Sequence, residues 1–550
     1  MVDSTYIGAS TAGVASYLYF HKYGMRGDHA LAFLTLSAVL AYGMIKVGFS
    51  DLSRSAAHEA TLIYLAYVST MLLLTVGYRL SPFHPLAEYP GPVICKITNL
   101  WLLYVSYGGK RYLALDRLHA KYGPFLHIAS GPNALSINSP GATSLYLTLE
   151  KSDSYRMPDH DNKAVALFFK QESKEIHRER RRIWSGFFTP NGLAQILPLV
   201  EKRTWQFLRC LEKRQASNEA GYVDLVEAFF HWSYDLMGDF VFGGCNKLEF
   251  LENGDPDDVV NTGKVATALL DSVGLTPWIL DIAWHIPFTK DMHALRRMAA
   301  SMMRTRAKAE DVPGYRDLTS HWLEAGVPQE DLDLDAVIAI VGGSDNTAIT
   351  LAFTIYYLIA SPQYLKCLRE ELDKAFPDPV GELSMATLTA LPFLNAVINE
   401  TLRLASPYYL PCHVPAGGIT VDDKYIPEGT DVALAAHSQQ MSPDNFYPDP
   451  LNFHPLRWIP GGLGLQTKAN KNVLASFSFR EHACIGKTIA YQEMRHALAR
   501  VILACDFEFP EGFDVPGVRE GMQNMRTMFL EKPLLVRMSR HPGVNWPAVM

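Results

Sequence analysis

One cysteine of this chain stands where a thiolate would be stabilised. Cys484 lies in the run Phe477-Ser-Phe-Arg-Glu-His-Ala-Cys-Ile-Gly486, and a helical pattern follows from Lys487 to Leu503. A sulfur just before a helix N-terminus meets free backbone N–H groups and the positive end of the helix dipole. A thiolate on haem iron pushes electron density onto the metal and favours O–O cleavage. The residue type alone leaves a plainer reading open, a buried apolar cysteine. A second stretch is Val337-Ile-Ala-Ile-Val-Gly-Gly343-Ser-Asp345-Asn346-Thr347-Ala. Two glycines interrupting an apolar helix are locally costly. They let a flat ligand approach and can open the hydrogen-bond ladder, or they serve helix packing. In Pro392–Arg403, Glu400 and Arg403 share one helix face. Arg457, in the proline-aromatic stretch Phe446–Trp458, could close a network with one carboxylate between two guanidinium forks. The alternative is a solvated ion pair of little worth.

These residues need a frame. Apolar positions recur at three- and four-residue spacing over 191–215, 333–374 and 391–405, which predicts helices. Residues 418–436 read as paired strands around an Asp422-Asp423-Lys424 turn, and 503–537 as short strands. The expected class is mainly α with small β-sheets, preceded by transmembrane helices. Segments 4–20, 30–45 and 60–78 contain no Lys, Arg, Asp or Glu. A span takes about 17–25 mostly apolar residues, which predicts up to three within 1–80. The first is diluted by Ser, Thr and Gly and reads also as interfacial. No basic stretch precedes it, so a signal peptide reads poorly. Lys22 and Arg26 in the first connection, with Arg79, Lys96, Lys110 and Arg111 after the third, put the N-terminus outside and the large C-terminal part in the cytoplasm. Prolines 82, 85, 90 and 92 mark a stiff stalk over 81–92, and the body runs from 93 to 550.

The 550 residues hold 50 Lys and Arg against 57 Asp and Glu, a formal charge of −7. That balance offers no basic footprint for nucleic acid. Hydrophobic residues are 48% and charged ones 19%, which excludes a disordered or coiled-coil chain. Seven scattered cysteines do not make a disulfide framework and fit a reduced compartment.

The order of the four stretches resembles the cytochrome P450 family over roughly residues 80–540, and the combination is similar to fungal microsomal members. The resemblance implies a haem-thiolate monooxygenase: an α-rich catalytic domain with small sheets, haem b, and electrons from an NADPH-cytochrome P450 reductase. It implies an endoplasmic-reticulum membrane anchor with the catalytic domain in the cytoplasm. Cys484 becomes the axial iron ligand, Phe477 packs beneath the haem, and Gly486 offers its N–H to the sulfur. Glu400, Arg403 and Arg457 form a structural triad. His177, Arg181, His413 and His482 meet the propionates, the last two replacing arginines common in the family. Asp345, Asn346 and Thr347 are the catalytic candidates. Two residues depart from the family pattern. Arg480 stands where glycine is usual, and a turn with φ > 0 would strain it; its charge on the proximal face could also help an acidic reductase dock. Asn346 stands where a threonine usually helps deliver protons, and an amide cannot relay as a hydroxyl does. Thr347 is next to it but about 100° away around the helix.

The expected reaction is oxidation of a hydrophobic small molecule, such as a terpenoid or an aromatic alkaloid, in fungal secondary metabolism. The pocket should draw on 157–170, 262–285, Gly342–Thr347 and Tyr408–Cys412, with few charges near the haem face. A hydroperoxide isomerase or dehydratase that needs no reductase, and a catalytically degraded haem-binding membrane protein, stand as alternatives.

Overall fold

Three long helices lead the chain: α1 (Val2–Tyr23), α2 (Gly27–Gly48) and α3 (Arg54–Leu80). The computed structural model describes residues 2–48, 54–130, 133–157, 170, 174–311, 315–405 and 409–547. Within α2 and α3, Gly27–Val47 and Ala57–Leu80 are long and apolar enough to cross a bilayer. Helix α1 has the length but not the hydropathy, so two N-terminal helices qualify rather than three among the described residues. Small and polar residues fit α1 against α3 instead. A Cβ on Gly13 would lie 2.8 Å from the Tyr67 carbonyl oxygen, and the Tyr67 hydroxyl donates to Ser16 Oγ at 2.9 Å. Residues 81–92 follow as successive turns without helix.

The body is helical where the site is built. Its helices include α4 (Lys174–Ser185), α5 (Leu225–Phe242), α6 (Val259–Ser272), α7 (Pro277–Ala283), α8 (Gln329–Ile359), α9 (Pro392–Leu404) and α10 (Lys487–Ala504). Beyond its acidic first two turns, helix α8 is apolar around most of its circumference and runs through the core. By length and composition it too could cross a membrane, but 67% of its apolar window is buried inside the body. Gly342 and Gly343 do not interrupt it. It ends before Ser361-Pro362, where a new helix (Pro362–Ala375) begins, so the predicted run 333–374 is two helices. Pro392 opens α9, and both Glu371 carboxylate oxygens accept its first N–H groups, from Phe393 and Leu394, at 2.8 Å.

A five-stranded sheet flanks the site, built from β1 (Phe125–Ser130), β2 (Asn133–Ile137), β3 (Glu150–Lys151), β4 (Cys412–His413) and β5 (Asp431–Leu434) in the order β1-β2-β5-β4-β3. Strand β5 runs parallel to β2, with Ala134 opposite Asp431. The expected strands of 418–436 thus divide. Ile419–Val421 and Lys424–Ile426 make the predicted hairpin, but β5 joins a different sheet. The tail holds strands, including the hairpin β6 (Met522–Asn524) and β7 (Met528–Leu530), with a short helix at Val515–Glu520.

Candidate functional site

Cys484, the Gly342–Thr350 part of α8 and the end of α4 open onto one cavity of about 310 Å³. The cysteine loop is closed by the Cys484 N–H donating to the Phe477 carbonyl at 2.8 Å. Two residues inside it take left-handed backbone, Ser478 at φ 54° and Arg480 at φ 47°. The positive φ expected at Arg480 is therefore present, carried by a residue whose Cβ opposes it. Its side chain is exposed. Phe477 lines the cavity and packs on the Tyr491 ring at 5.2 Å. Cys484 is exposed, and that exposure is to this interior cavity. Burial pushes its thiol up, opposed by the N–H groups of Gly486 and Lys487 and by the charges of Arg181 and Lys487. A metal cation on the sulfur would reverse that balance.

Behind the cysteine, the triad is assembled with none of its side chains exposed. Glu400 Oε1 accepts from Arg403 Nη2 at 2.8 Å, Arg457 Nε at 3.0 Å and the His454 N–H at 2.9 Å. Oε2 accepts from Arg403 Nε and Trp458 Nε1, both at 2.9 Å. The free ends of both guanidinium groups cap carbonyls, Arg403 that of Gln440 at 2.8 Å and Arg457 that of Pro448 at 2.9 Å. These donors outweigh burial and hold the Glu400 carboxyl below its ordinary value.

Cations gather at one edge of the cavity. Arg181, His482 and Lys151 line it, and His177 lies close enough for their charge to be felt. Burial and these neighbours push His177 down to about 4, and Lys151, near Arg181 and Arg526, down to about 7. His482 Nε2 meets the Leu149 carbonyl at 2.8 Å, while its buried Nδ1 has no partner among the described residues. Crowded cations and an orphaned ring nitrogen beside apolar walls fit a flat macrocycle with two carboxylates. A thiol faces the same space, so the residues present fit haem. His413 does not join this edge. It sits on β4, bonded to Asp431 Oδ1 at 2.9 Å, and does not line the cavity. Asp431 raises its pKa.

On α8 the three catalytic candidates separate. Asn346 lines the cavity, and its buried Oδ1 has no partner among the described residues. Thr347 lines it too, despite its angular offset, and donates to Glu493 Oε2 at 3.3 Å. Asp345 does not line it. It is fully buried beside Tyr234 and Lys264, and burial pushes its carboxyl up to about 7 although both neighbours favour the anion. The two glycines also divide. Both line the cavity, but a Cβ on Gly343 would clash with Met237 Sδ on α5, a packing contact, whereas one on Gly342 would meet only Ile338 of its own helix, at 3.9 Å.

Beside Glu481 of the cysteine loop, three charged residues of the lining escape the sequence reading: Lys151, Glu493 and Arg526. Lys151 comes from a two-residue strand, and Arg526 from the β6–β7 connection with its guanidinium 4.0 Å from the Tyr155 ring. Glu493 comes from the buried face of α10, two turns beyond Gly486. None stands in a motif, so only the fold brings them together. The expectation of few charges is corrected by them. Of the expected pocket stretches, Gly342–Thr347 contributes, as do Tyr409 and Leu410. Residues 262–285 contribute nothing to this lining, and 158–169 and Tyr408 lie outside the described residues.

The family model for Cytochrome P450 matches residues 89–538. Tryprostatin B 6-hydroxylase of Aspergillus fumigatus is 28% identical, over 93% of this chain and 92% of that protein. Cytochrome P450 monooxygenase cpaH of Aspergillus oryzae is 29% identical over 84% and 91%. Cytochrome P450 monooxygenase phqL of Penicillium fellutanum is 27% identical over 92% and 90%. With the family model spanning most of the chain and these monooxygenases matching nearly end to end, the chain is an oxidoreductase that belongs to the cytochrome P450 family.

Proposed function

We propose that the protein is a membrane-anchored haem-thiolate monooxygenase of fungal secondary metabolism that oxidises a hydrophobic aromatic or terpenoid small molecule. The observation that carries this reading is the single cavity into which Cys484 and the Gly342–Thr347 segment both open. Cys484 would ligate the haem iron. Arg181, Lys151, His177 and His482 would hold the propionates, and Gly342 leaves room for the ring. The haem would supply oxygen activation and oxygen transfer to a bound carbon. The chain supplies pocket, orientation and protons. Burial pushes the Glu493 carboxyl up to about 8, so near neutral pH it keeps its proton as an acid held beside the Thr347 hydroxyl, which donates to its Oε2. Asn346 places its amide in the same wall and orients rather than relays. Apolar Phe188, Phe240 and Ile338 favour a hydrophobic substrate. The resemblance of this chain to tryprostatin B 6-hydroxylases supports hydroxylation of a substrate akin to tryprostatin B.

Electrons would come from an NADPH-dependent reductase, and α2 and α3 would fix the protein in the endoplasmic-reticulum membrane with the body in the cytoplasm. The test is turnover of tryprostatin B and of terpenoids with and without reductase, beside the ferrous–CO spectrum of wild type and Cys484→Ser. A thiolate-type Soret band lost in the variant, with NADPH-dependent product, is expected. Turnover of a hydroperoxide without reductase would replace this reading with the isomerase. A wild-type spectrum lacking the thiolate band would mark a degraded haem protein.

A further inference from the structure

The connection between α1 and α2 is three residues, Gly24–Arg26, and it rests on the catalytic body. The Gly27 N–H, first of α2, donates to Asp281 Oδ2 on α7 at 3.0 Å. Arg156 Nη2 reaches both oxygens of the same carboxylate, at 2.9 and 3.1 Å. Asp281 is 1% exposed, so its contact with the Gly27 N–H is buried, while Arg156 reaches it from a partly exposed position. Beside it Arg26 forks Asp28 through Nε at 3.0 Å and Nη2 at 2.9 Å, and His285 Nε2 lies 3.2 Å from Asp28 Oδ2. The backbones approach so closely that a Cβ on Gly27 would lie 1.8 Å from the Trp278 carbonyl oxygen. Trp278 is tied on to Asn99 Oδ1 through its indole N–H at 3.4 Å.

A tether has no use for a buried carboxylate shared between the start of a helix and a distant arginine. An isolated buried carboxylate is costly, and the partners here come from two separate stretches of chain. Asp281 satisfies an N–H that the start of α2 would otherwise leave open, and its negative charge suits that end of the helix. Arg156 adjoins Tyr155, whose ring lines the cavity and whose hydroxyl donates to the Tyr409 carbonyl at 2.9 Å. A continuous path of contacts therefore runs from the cavity wall through Arg156 and Asp281 to α2. The loop charges, Lys22 and Arg26, put this turn on the same side of the membrane as the body, as the contact requires.

We propose that the α1–α2 turn is a docking surface for α7, so that the N-terminal helices clamp α7 and brace the Tyr155 wall rather than merely tether the enzyme. The proposal does not depend on which substrate is oxidised. It is tested on the full-length holoenzyme in phospholipid nanodiscs by hydrogen–deuterium exchange. Gly27→Val drives a side chain into the Trp278 backbone, whereas Gly43→Val, in the same helix with open space around it, is the control. Exchange over Pro277–Ala283 and Tyr155–Met157 should rise about tenfold or more in Gly27→Val and stay at the wild-type rate in Gly43→Val. Retention of the thiolate-type band shows that the body is folded. If Gly27→Val loses that band, Asp281→Asn carries the test, with the same segments loosening by a smaller factor. Wild-type exchange in the folded variant, or an equal rise in Gly43→Val, overturns the clamp.

Discussion

Arg480 holds the cysteine loop at φ 47°, where a Cβ crowds the backbone. Left-handed backbone costs a non-glycine residue about 1–2 kcal/mol. Arg480→Gly should therefore stabilise the loop by about 1 kcal/mol. Thermal conversion to the form without the thiolate Soret band should slow, and faster conversion would show that the arginine side chain contributes more than its backbone costs. Glu493 makes a prediction with a definite sign. Its folded pKa, about 8, lies above the ordinary carboxyl value of 4.5, so the stability tied to its neutral form is complete below about 4.5 and lost as pH rises through 8. Glu493→Gln cannot ionise. Its Tm should match wild type near pH 5 and exceed it above pH 8, and parallel profiles would show that Glu493 does not titrate in this range. The motif residues Cys484, Phe477, Glu400, Arg403 and Arg457 were legible because their spacing is local or tied to a helix repeat. Glu493 and Lys151 were not, because a buried charge leaves no mark in the chain until packing encloses it.

At the scale of elements, α8 and the triad decide whether the cavity exists. Gly342 and Gly343 are adjacent yet should respond oppositely to alanine. Gly343→Ala meets Met237 Sδ at 2.4 Å, and overpacking of this kind costs about 1–3 kcal/mol. Gly342→Ala meets nothing closer than 3.9 Å and gains helix propensity, about 0.5–1 kcal/mol, while narrowing the cavity. Thermal unfolding of the two variants should move in opposite directions, and equal shifts would refute the division of roles. In the triad, Glu400→Gln leaves two buried guanidinium groups without their anion, a loss of about 3–5 kcal/mol. The wild-type triad has the acid sign: Glu400 titrates below its ordinary value, so its contribution is present above about 4.5 and lost as pH falls through the folded value. Haem retention should then fall on acidification in wild type and be low at every pH in Glu400→Gln. Helix periodicity located α8 and α9, but not the break at Ser361-Pro362, which proline chemistry decides against the apolar pattern. The parallel pairing of β5 with β2 was beyond local reading, since its partner lies some 300 residues away.

The whole molecule combines an apolar N-terminal bundle with a body that carries apolar surface of its own. Composition and charge-free runs made the bundle legible. Among the described residues two N-terminal helices qualify rather than three, because Ser, Thr and Gly dilute the hydropathy of α1, which packs on α3. On the body, Val93, Ile94, Leu100, Tyr104 and Tyr107 are exposed just beyond 81–92. Trp278, Ile286 and Phe288 are exposed on and after α7, which α2 touches. Because α7 contacts the start of α2, a candidate span, these side chains lie near one end of that span, and apolar groups there favour partition into a bilayer. Deleting residues 1–79 removes both candidate spans but leaves this surface. The truncated body should therefore distribute between pellet and supernatant on sedimentation with phospholipid vesicles, and its bound share should persist in 1 M salt, a condition that screens exposed charges to about 3 Å. Adding Tyr104→Ser, Tyr107→Ser, Ile286→Ser and Phe288→Ser to the truncation should release it, with the thiolate band intact because none of the four lines the cavity. A truncated body that stays fully in the supernatant at low salt would show that α1–α3 make the entire membrane contact.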